Sequence, residues 1–153
     1  MNDCPIYEHC GLRISMTTPV TRELLQQRTR KLAVEAIRLI GDLPRTPPAD
    51  IIGRQLVRSA TSVAANYRSA CRARSRRDFI AKMGIVEEEA DETAFWLELL
   101  DECGLAPATR LVPLSREAGE LLAITVASIR TARMGRVTGR ANPQSAIRNP
   151  QCS

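Results

Sequence analysis

The chain has 153 residues, a formal net charge of +5 and only five aromatic residues among Phe, Tyr and Trp. Its length suits a single domain with its own core, and the abundance of Ala, Leu, Arg and Glu favours packed helices over a β-sandwich. No apolar run approaches the ~20 residues that span a membrane, and the N-terminus lacks the apolar region of a secretory signal. We therefore expect a cytoplasmic protein that does not contact a membrane.

The first sixteen residues show no clear period and are expected to form a flexible N-terminal arm, with Met16 as an alternative translation start. The bundle is predicted over residues 17–135. Thr18 as N-cap and Pro19 at the first helical position predict helix one at about 19–41. Its buried stripe is predicted to consist of Leu25, Thr29, Leu32, Ala36, Leu39 and Leu43.

The second and third helices are predicted at about 49–73 and 76–103. Ser75 suits the N-cap of helix three, with Asp78 as its capping-box partner. Helix three carries a seam with alternating steps of four and three residues, typical of a helix packed lengthwise against others. The predicted buried faces are Ile52, Leu56, Ala60, Val63, Ala64 and Tyr67 on helix two, and Phe79, Met83, Val86, Ala90, Thr93, Leu97 and Leu100 on helix three.

The fourth helix is predicted at about 113–134, with Leu114, Ala118, Leu121, Leu122, Thr125 and Ile129 on its buried face. Residues 136–153 have a composition that cannot bury a core and are predicted to form a disordered basic tail with Arg136, Arg140 and Arg148. Short links between helices place neighbours antiparallel. The sequence therefore predicts an all-α, antiparallel up-and-down four-helix bundle.

Charge is distributed unevenly, with five arginines and no acid in residues 68–77 and eight acids and no base in residues 87–102. Four arginines lie within about 80° on the helical wheel of helix two, beside its apolar face. They are Arg54, Arg58, Arg68 and Arg72. One interpretation is a solvated flank that pairs with a cluster of acids on helix three, namely Glu87, Asp91, Glu98 and Glu102.

Arg76 and Arg77 occupy the first turn of helix three, where the helix dipole disfavours cations. An anion nearby explains them, either a carboxylate or a phosphate. Together with Arg68, Arg72 and Arg74 they form a basic cluster where helix two ends and helix three begins. This cluster is suited either to contact with phosphate groups or to salt bridges between subunits. The only aromatic residue in this region is Tyr67, on the core side, so any nucleic-acid binding is expected to be sequence-tolerant and salt-sensitive.

Helix three also carries a second apolar patch, away from its seam: Ile85, Phe95, Trp96 and Leu99. A helix in a four-helix bundle needs one buried stripe, so a second stripe favours an oligomer interface. The alternative is a wide bundle whose edge these side chains cover.

Motifs of catalysis and metal binding are absent from the sequence. The five cysteines form no CxxC pair, and Cys4, His9 and Cys10 lack a fourth ligand for zinc. The acidic run at residues 87–92 lacks the Glu-x-x-His pairs of di-metal bundles. GxGxxG, Walker and HExxH motifs are also missing. We therefore expect no metal, no cofactor and no enzymatic activity.

Three segments resemble the small bacterial four-helix-bundle proteins encoded in 23S rRNA intervening sequences. They are residues 58–66 (RSATSVAAN), residues 74–80 (RSRRDFI), and the end of helix three with Leu99-Leu100 and Gly104-Leu105. The resemblance implies antiparallel bundles that assemble into homopentamers. It extends to the accessory variability determinant of diversity-generating retroelements, which binds nucleic acid and a reverse transcriptase through a basic surface.

Residues and resemblance together predict a non-enzymatic oligomer that acts as a nucleic-acid-binding accessory protein. The phosphate backbone of RNA or DNA is expected to contact Arg54, Arg58, Arg68, Arg72, Arg74, Arg76 and Arg77. The alternative is a structural adaptor for a protein partner, whose arginines are engaged in salt bridges between subunits.

Overall fold

The structure is a computed structural model that describes residues 20–135. These residues form four α-helices and no β-strand, which confirms the all-α class. The helices are α1 (Arg22–Gly41), α2 (Pro47–Ala70), α3 (Arg76–Glu102) and α4 (Ala108–Met134). The predicted arm, the Thr18 cap and the basic tail lie outside the described residues.

The four helices pack in chain order, and α1 closes the bundle against α4. Arg76 at the start of α3 contacts Ala132 at the end of α4, and Arg110 near the start of α4 pairs with Asp42 just after α1. Neighbouring helices are therefore antiparallel, as the short links require. One end of the bundle carries the turn between α2 and α3, and the other end carries the remaining two links.

The predicted seam of α3 forms the centre of the core, since all seven of its side chains are at most 2% exposed. Tyr67 is also buried on the core side of α2. The predicted faces of the other helices are buried except at their margins, where Leu43, Ala64 and Leu122 are half-buried. The helical spacing in the sequence thus identified the side of each helix that faces the core.

Three helix starts differ from prediction. Helix α1 begins at Arg22, because Thr21 Oγ1 accepts a hydrogen bond from the Leu24 amide at 3.2 Å and acts as the N-cap. Helix α2 begins at Pro47, since a proline is tolerated in the first turn, where its missing N–H would lack a partner. Helix α4 begins at Ala108 and contains Pro113 within it, because the earlier start buries Leu111 in the core.

The ends of α3 are fixed by local hydrogen bonds. Ser75 is its N-cap, and Ser75 Oγ accepts from the Asp78 amide at 3.1 Å, as predicted. The Asp78 carboxylate accepts from the Arg74 amide at 3.0 Å, one residue earlier than a capping box requires. At the other end, Gly104 has φ +62 and completes a Schellman motif with Leu105, which stops the helix.

Candidate nucleic-acid interface

Five exposed arginines meet at the end of the bundle that carries the α2–α3 turn, because the topology brings the end of α2, the start of α3 and the end of α4 together there. None of them forms an ion pair within residues 20–135. We call this group the basic end; it consists of Arg72, Arg74, Arg77, Arg130 and Arg133. Its guanidinium groups are therefore available to an external anion.

Asp78 is the acid closest in sequence to the arginines of the turn, and its carboxylate is already engaged. Lys82 Nζ lies 2.5 Å from Asp78 Oδ1, and the Arg74 amide donates to Asp78 Oδ2. The hydrogen bond from Lys82 and then that from the Arg74 amide lower the pKa of Asp78 below its ordinary 3.8. Asp78 therefore interacts electrostatically with Arg74, but it forms no ion pair with an arginine of the basic end within residues 20–135.

Arg76 does not belong to the exposed set. Its Nε donates to the carbonyl of Ala132, in the last turn of α4, where carbonyl groups lack helical donors. The position of Arg76 in the first turn of α3 predicted an anion beside it, and in the structure the negative end of the α4 dipole lies there instead. Arg77, its neighbour, is exposed and has no such partner within residues 20–135.

Arg58 is paired within the bundle. Its guanidinium donates to the Glu92 carboxylate and lies 3.7 Å from Glu89 Oε2. The hydrogen bond from Arg58 lowers the pKa of Glu92, and a second from Trp96 Nε1 acts in the same direction. The arginines of helix two were predicted to pair with the acid cluster Glu87, Asp91, Glu98 and Glu102. Within the subunit this prediction is wrong, because the acids of α3 that face α2 and contact Arg58 are Glu89 and Glu92.

Arg54 is exposed on α2 far from the basic end, whereas Arg68 is exposed in the last turn of α2, four residues before Arg72. Arg54 Nε donates to the Asp50 carbonyl at 3.2 Å, in the first turns of α2. It is eighteen residues from Arg72, or about 27 Å along the helix. Arg68 lines a groove between α1 and α2. The four arginines predicted to line helix two thus lie in four different environments.

The second apolar patch of α3 is divided by the structure. Phe95 and Ile85 are 48% and 43% exposed. Trp96 and Leu99 are half-buried and pack against the core, with the ring centroids of Phe95 and Trp96 4.9 Å apart. Trp96 and Leu99 therefore cover the edge of the bundle, whereas Phe95 and Ile85 face outward.

The family model of the 23S rRNA-intervening sequence protein matches residues 24–127. The chain belongs to this family. A comparison with curated proteins gives no match. Among solved structures, the chain is similar to a protein of unknown function from the S23 ribosomal protein family of Bacteroides thetaiotaomicron. The two are 29% identical with a TM-score of 0.66, and the match covers 71% of this chain and 97% of that one.

The matched segment of the 23S rRNA-intervening sequence family contains the arginines of α2 and α3 but ends before Arg130 and Arg133. Those two residues were missing from the predicted site. The up-and-down topology was the signal that could have located them, because it places the end of α4 beside the start of α3. The family match by itself assigns no role to the basic end.

Within residues 20–135, no cluster of three or more His, Cys, Asp or Glu side chains suits a metal ion. No helix in this part of the chain combines the length and apolarity needed to cross a bilayer.

Proposed function

We propose that this protein is a non-enzymatic, cytoplasmic accessory factor that binds nucleic acid through its basic end. The observation that carries the proposal is that Arg72, Arg74 and Arg77 are exposed and lack an ion pair within residues 20–135. Arg130 and Arg133 add two further guanidinium groups from α4. A guanidinium group matches the geometry of a phosphate and retains its charge at physiological pH.

The chemistry of the basic end favours the phosphate backbone over the bases. Tyr67 is 2% exposed, so it offers no ring for base stacking. The basic end itself contains no aromatic residue. Binding through guanidinium groups alone is tolerant of sequence and weakens steeply with salt, because it releases counterions from the nucleic acid.

The proposal includes self-association. The exposed Phe95 and Ile85 support contact between subunits, since aromatic side chains are enriched at interfaces. The homopentamer is the state that the resemblance to intervening-sequence proteins implies. A ring of subunits repeats the basic end several times, which multiplies the phosphate contacts through avidity.

Fluorescence anisotropy with labelled single-stranded RNA and duplex DNA tests the nucleic-acid part. The wild type should bind both at low salt, and log K should fall linearly with log salt. The double variant Arg74→Glu/Arg77→Glu should weaken binding and reduce the salt slope by about 1 for each lost phosphate contact. The matched control is Arg45→Glu/Arg116→Glu, which makes the same charge change at exposed residues away from the basic end.

Two outcomes contradict nucleic-acid binding at this site. One is the absence of binding by the wild type at low salt. The other is an equal loss in the test and control variants, which would reflect net charge alone.

A second function is favoured by the engagement of Arg58 with Glu92 and Glu89. That ion-pair cluster suits a structural adaptor whose arginines hold helices and subunits together and whose ligand is another protein. Light scattering on the Arg74→Glu/Arg77→Glu variant separates the two functions. The adaptor loses mass before it loses any RNA affinity, whereas the nucleic-acid-binding protein keeps its mass and loses affinity.

A further inference from the structure

A groove lies between α1 and the first turns of α4, away from the basic end. Its volume is about 340 Å³, and the residues that line it come from the middle of α1 and the start of α4. Sites that hold small molecules in proteins begin at about 300 Å³. The groove therefore has the size of a small-molecule site.

Two ion-pair contacts, one at each end of the groove, hold its walls together. At one end, Arg28 of α1 lies 2.7 Å from Glu117 and 2.6 Å from Glu120 of α4. At the other end, Arg110 of α4 pairs with Asp42, just after α1. The separation of the two helices between these contacts is thus fixed before any ligand binds, as is usual for small-molecule sites.

Among the described residues, the unpaired charges of the groove are positive. Lys31 and Arg116 line the groove, are exposed and form no ion pair within residues 20–135. The acids that line it are already engaged: Glu117 belongs to the first of the two contacts, and Glu35 pairs with Arg38 at 2.6 Å. The groove therefore attracts an anion.

The walls of the groove also offer an apolar surface and a backbone acceptor. Leu32 and Leu114, which are 1% and 7% exposed, line it from the side of the core. Pro113 lies within α4 and has no N–H, so the carbonyl of Thr109, four residues earlier, lacks its helical donor. Both of these residues line the groove. The Thr109 carbonyl can thus accept a hydrogen bond from a bound molecule.

We propose that this groove binds a small organic acid with an apolar body and a hydroxyl group at the end opposite its carboxylate. Lys31 and Arg116 bind the carboxylate. Leu32 and Leu114 contact the apolar body, and the Thr109 carbonyl accepts from the hydroxyl group. Arg116 and Thr109 are seven residues apart, about 10.5 Å along α4, so a ligand with polar groups at its two ends fits them. The inference depends neither on nucleic-acid binding nor on self-association.

Isothermal titration calorimetry at low salt tests the site with three probes of similar shape: benzoate, para-hydroxybenzoate and benzamide. The wild type should bind both acids, and the hydroxyl group should tighten binding about threefold to tenfold, because it adds a hydrogen bond. Benzamide lacks the charge and should bind at least about tenfold more weakly than benzoate. The same loss for both acids is expected in the double variant Lys31→Glu/Arg116→Glu.

The matched control for charge is Arg45→Glu/Arg54→Glu, which makes the same charge change at exposed residues that do not line the groove and should keep the affinity for both acids. Pro113→Ala is the test of the acceptor, since it gives the Thr109 carbonyl a helical donor and leaves the charge unchanged. In this variant para-hydroxybenzoate should bind no more tightly than benzoate. Circular dichroism verifies that every variant remains helical.

Three outcomes would overturn the inference. The first is a wild type that binds neither acid at millimolar concentration, or that binds benzamide as tightly as benzoate. The second is an equal loss of affinity in the two charge-reversal variants, which would reflect net charge alone. The third is an advantage of para-hydroxybenzoate over benzoate that Pro113→Ala leaves intact.

Discussion

Arg76 donates from Nε to the carbonyl of Ala132 and thereby ties the first turn of α3 to the last turn of α4. The contact explains why a cation lies at a position that the dipole of its own helix disfavours. The Arg76 guanidinium group interacts with the negative, C-terminal end of the α4 dipole. Arg77, the next residue in the first turn of α3, is exposed to solvent. Two adjacent arginines thus have different roles, one in the fold and one on the surface.

Replacement of Arg76 should therefore cost stability where replacement of Arg77 does not. We expect Arg76→Ala to lower the free energy of unfolding by about 1–2 kcal/mol, since it removes a charge-assisted hydrogen bond. Arg77→Ala should stay within about 0.5 kcal/mol of wild type. Urea denaturation followed by circular dichroism measures both. Equal losses in the two variants would show that the Ala132 contact contributes nothing.

Ser59 and Thr93 form a buried polar pair between α2 and α3, with 2.9 Å between their hydroxyl oxygens. Both residues are 0% exposed. A double-mutant cycle with Ser59→Ala and Thr93→Val should give a coupling energy of about 0.5–1.5 kcal/mol in unfolding. Thr125→Val is the control, because the Thr125 hydroxyl bonds to the Leu121 carbonyl of its own helix at 2.8 Å. Paired with Ser59→Ala, it should be additive, and additivity in the Ser59–Thr93 cycle would disprove the coupling.

The sequence predicted the core better than the surface, for a physical reason. Apolar residues spaced three and four apart identify the side of a helix that is buried. All seven residues with this spacing on α3, from Phe79 to Leu100, are buried. The start of α4 was wrong because Pro113 suits a first turn, and the burial of Leu111 is a tertiary effect that outweighs this preference.

The partners of the arginines could not be predicted from helical wheels. A wheel shows that Glu87 and Asp91 share a flank of helix three, but it does not show which neighbouring helix that flank faces. In the structure, Glu89 and Glu92 face α2, and they contact Arg58. The partner of Arg76 could not be predicted for a related reason: it is a backbone carbonyl, and every residue has one, so no residue type in the sequence points to it.

The ion pair between Arg58 and Glu92 should make stability depend on pH. The hydrogen bond from Arg58, and then that from Trp96, lower the pKa of Glu92 in the folded protein below its ordinary 4.5. The stabilisation is therefore complete above pH 4.5 and is lost as the pH falls through the lower folded value. Glu92→Gln should be less stable than wild type at neutral pH, and this difference should shrink on acidification.

Urea denaturation between about pH 3 and about pH 7 measures that difference. Glu98→Gln is the control, since Glu98 is exposed and forms no ion pair within residues 20–135. A difference between wild type and Glu92→Gln that stays constant over the range would contradict the role of the carboxylate charge.

Three glycines should respond to alanine in opposite directions. A Cβ at Gly84 or Gly119, both within helices, would meet nothing within 4 Å among the described residues. We expect Gly84→Ala and Gly119→Ala each to raise the free energy of unfolding by about 0.5–1 kcal/mol, because alanine loses less backbone freedom on folding. Gly104→Ala should lower it by about 1 kcal/mol, since a φ of +62 is strained for any L side chain. Thermal denaturation of the three variants tests the opposing signs, and a stabilising Gly104→Ala would show that the Schellman turn relaxes without cost.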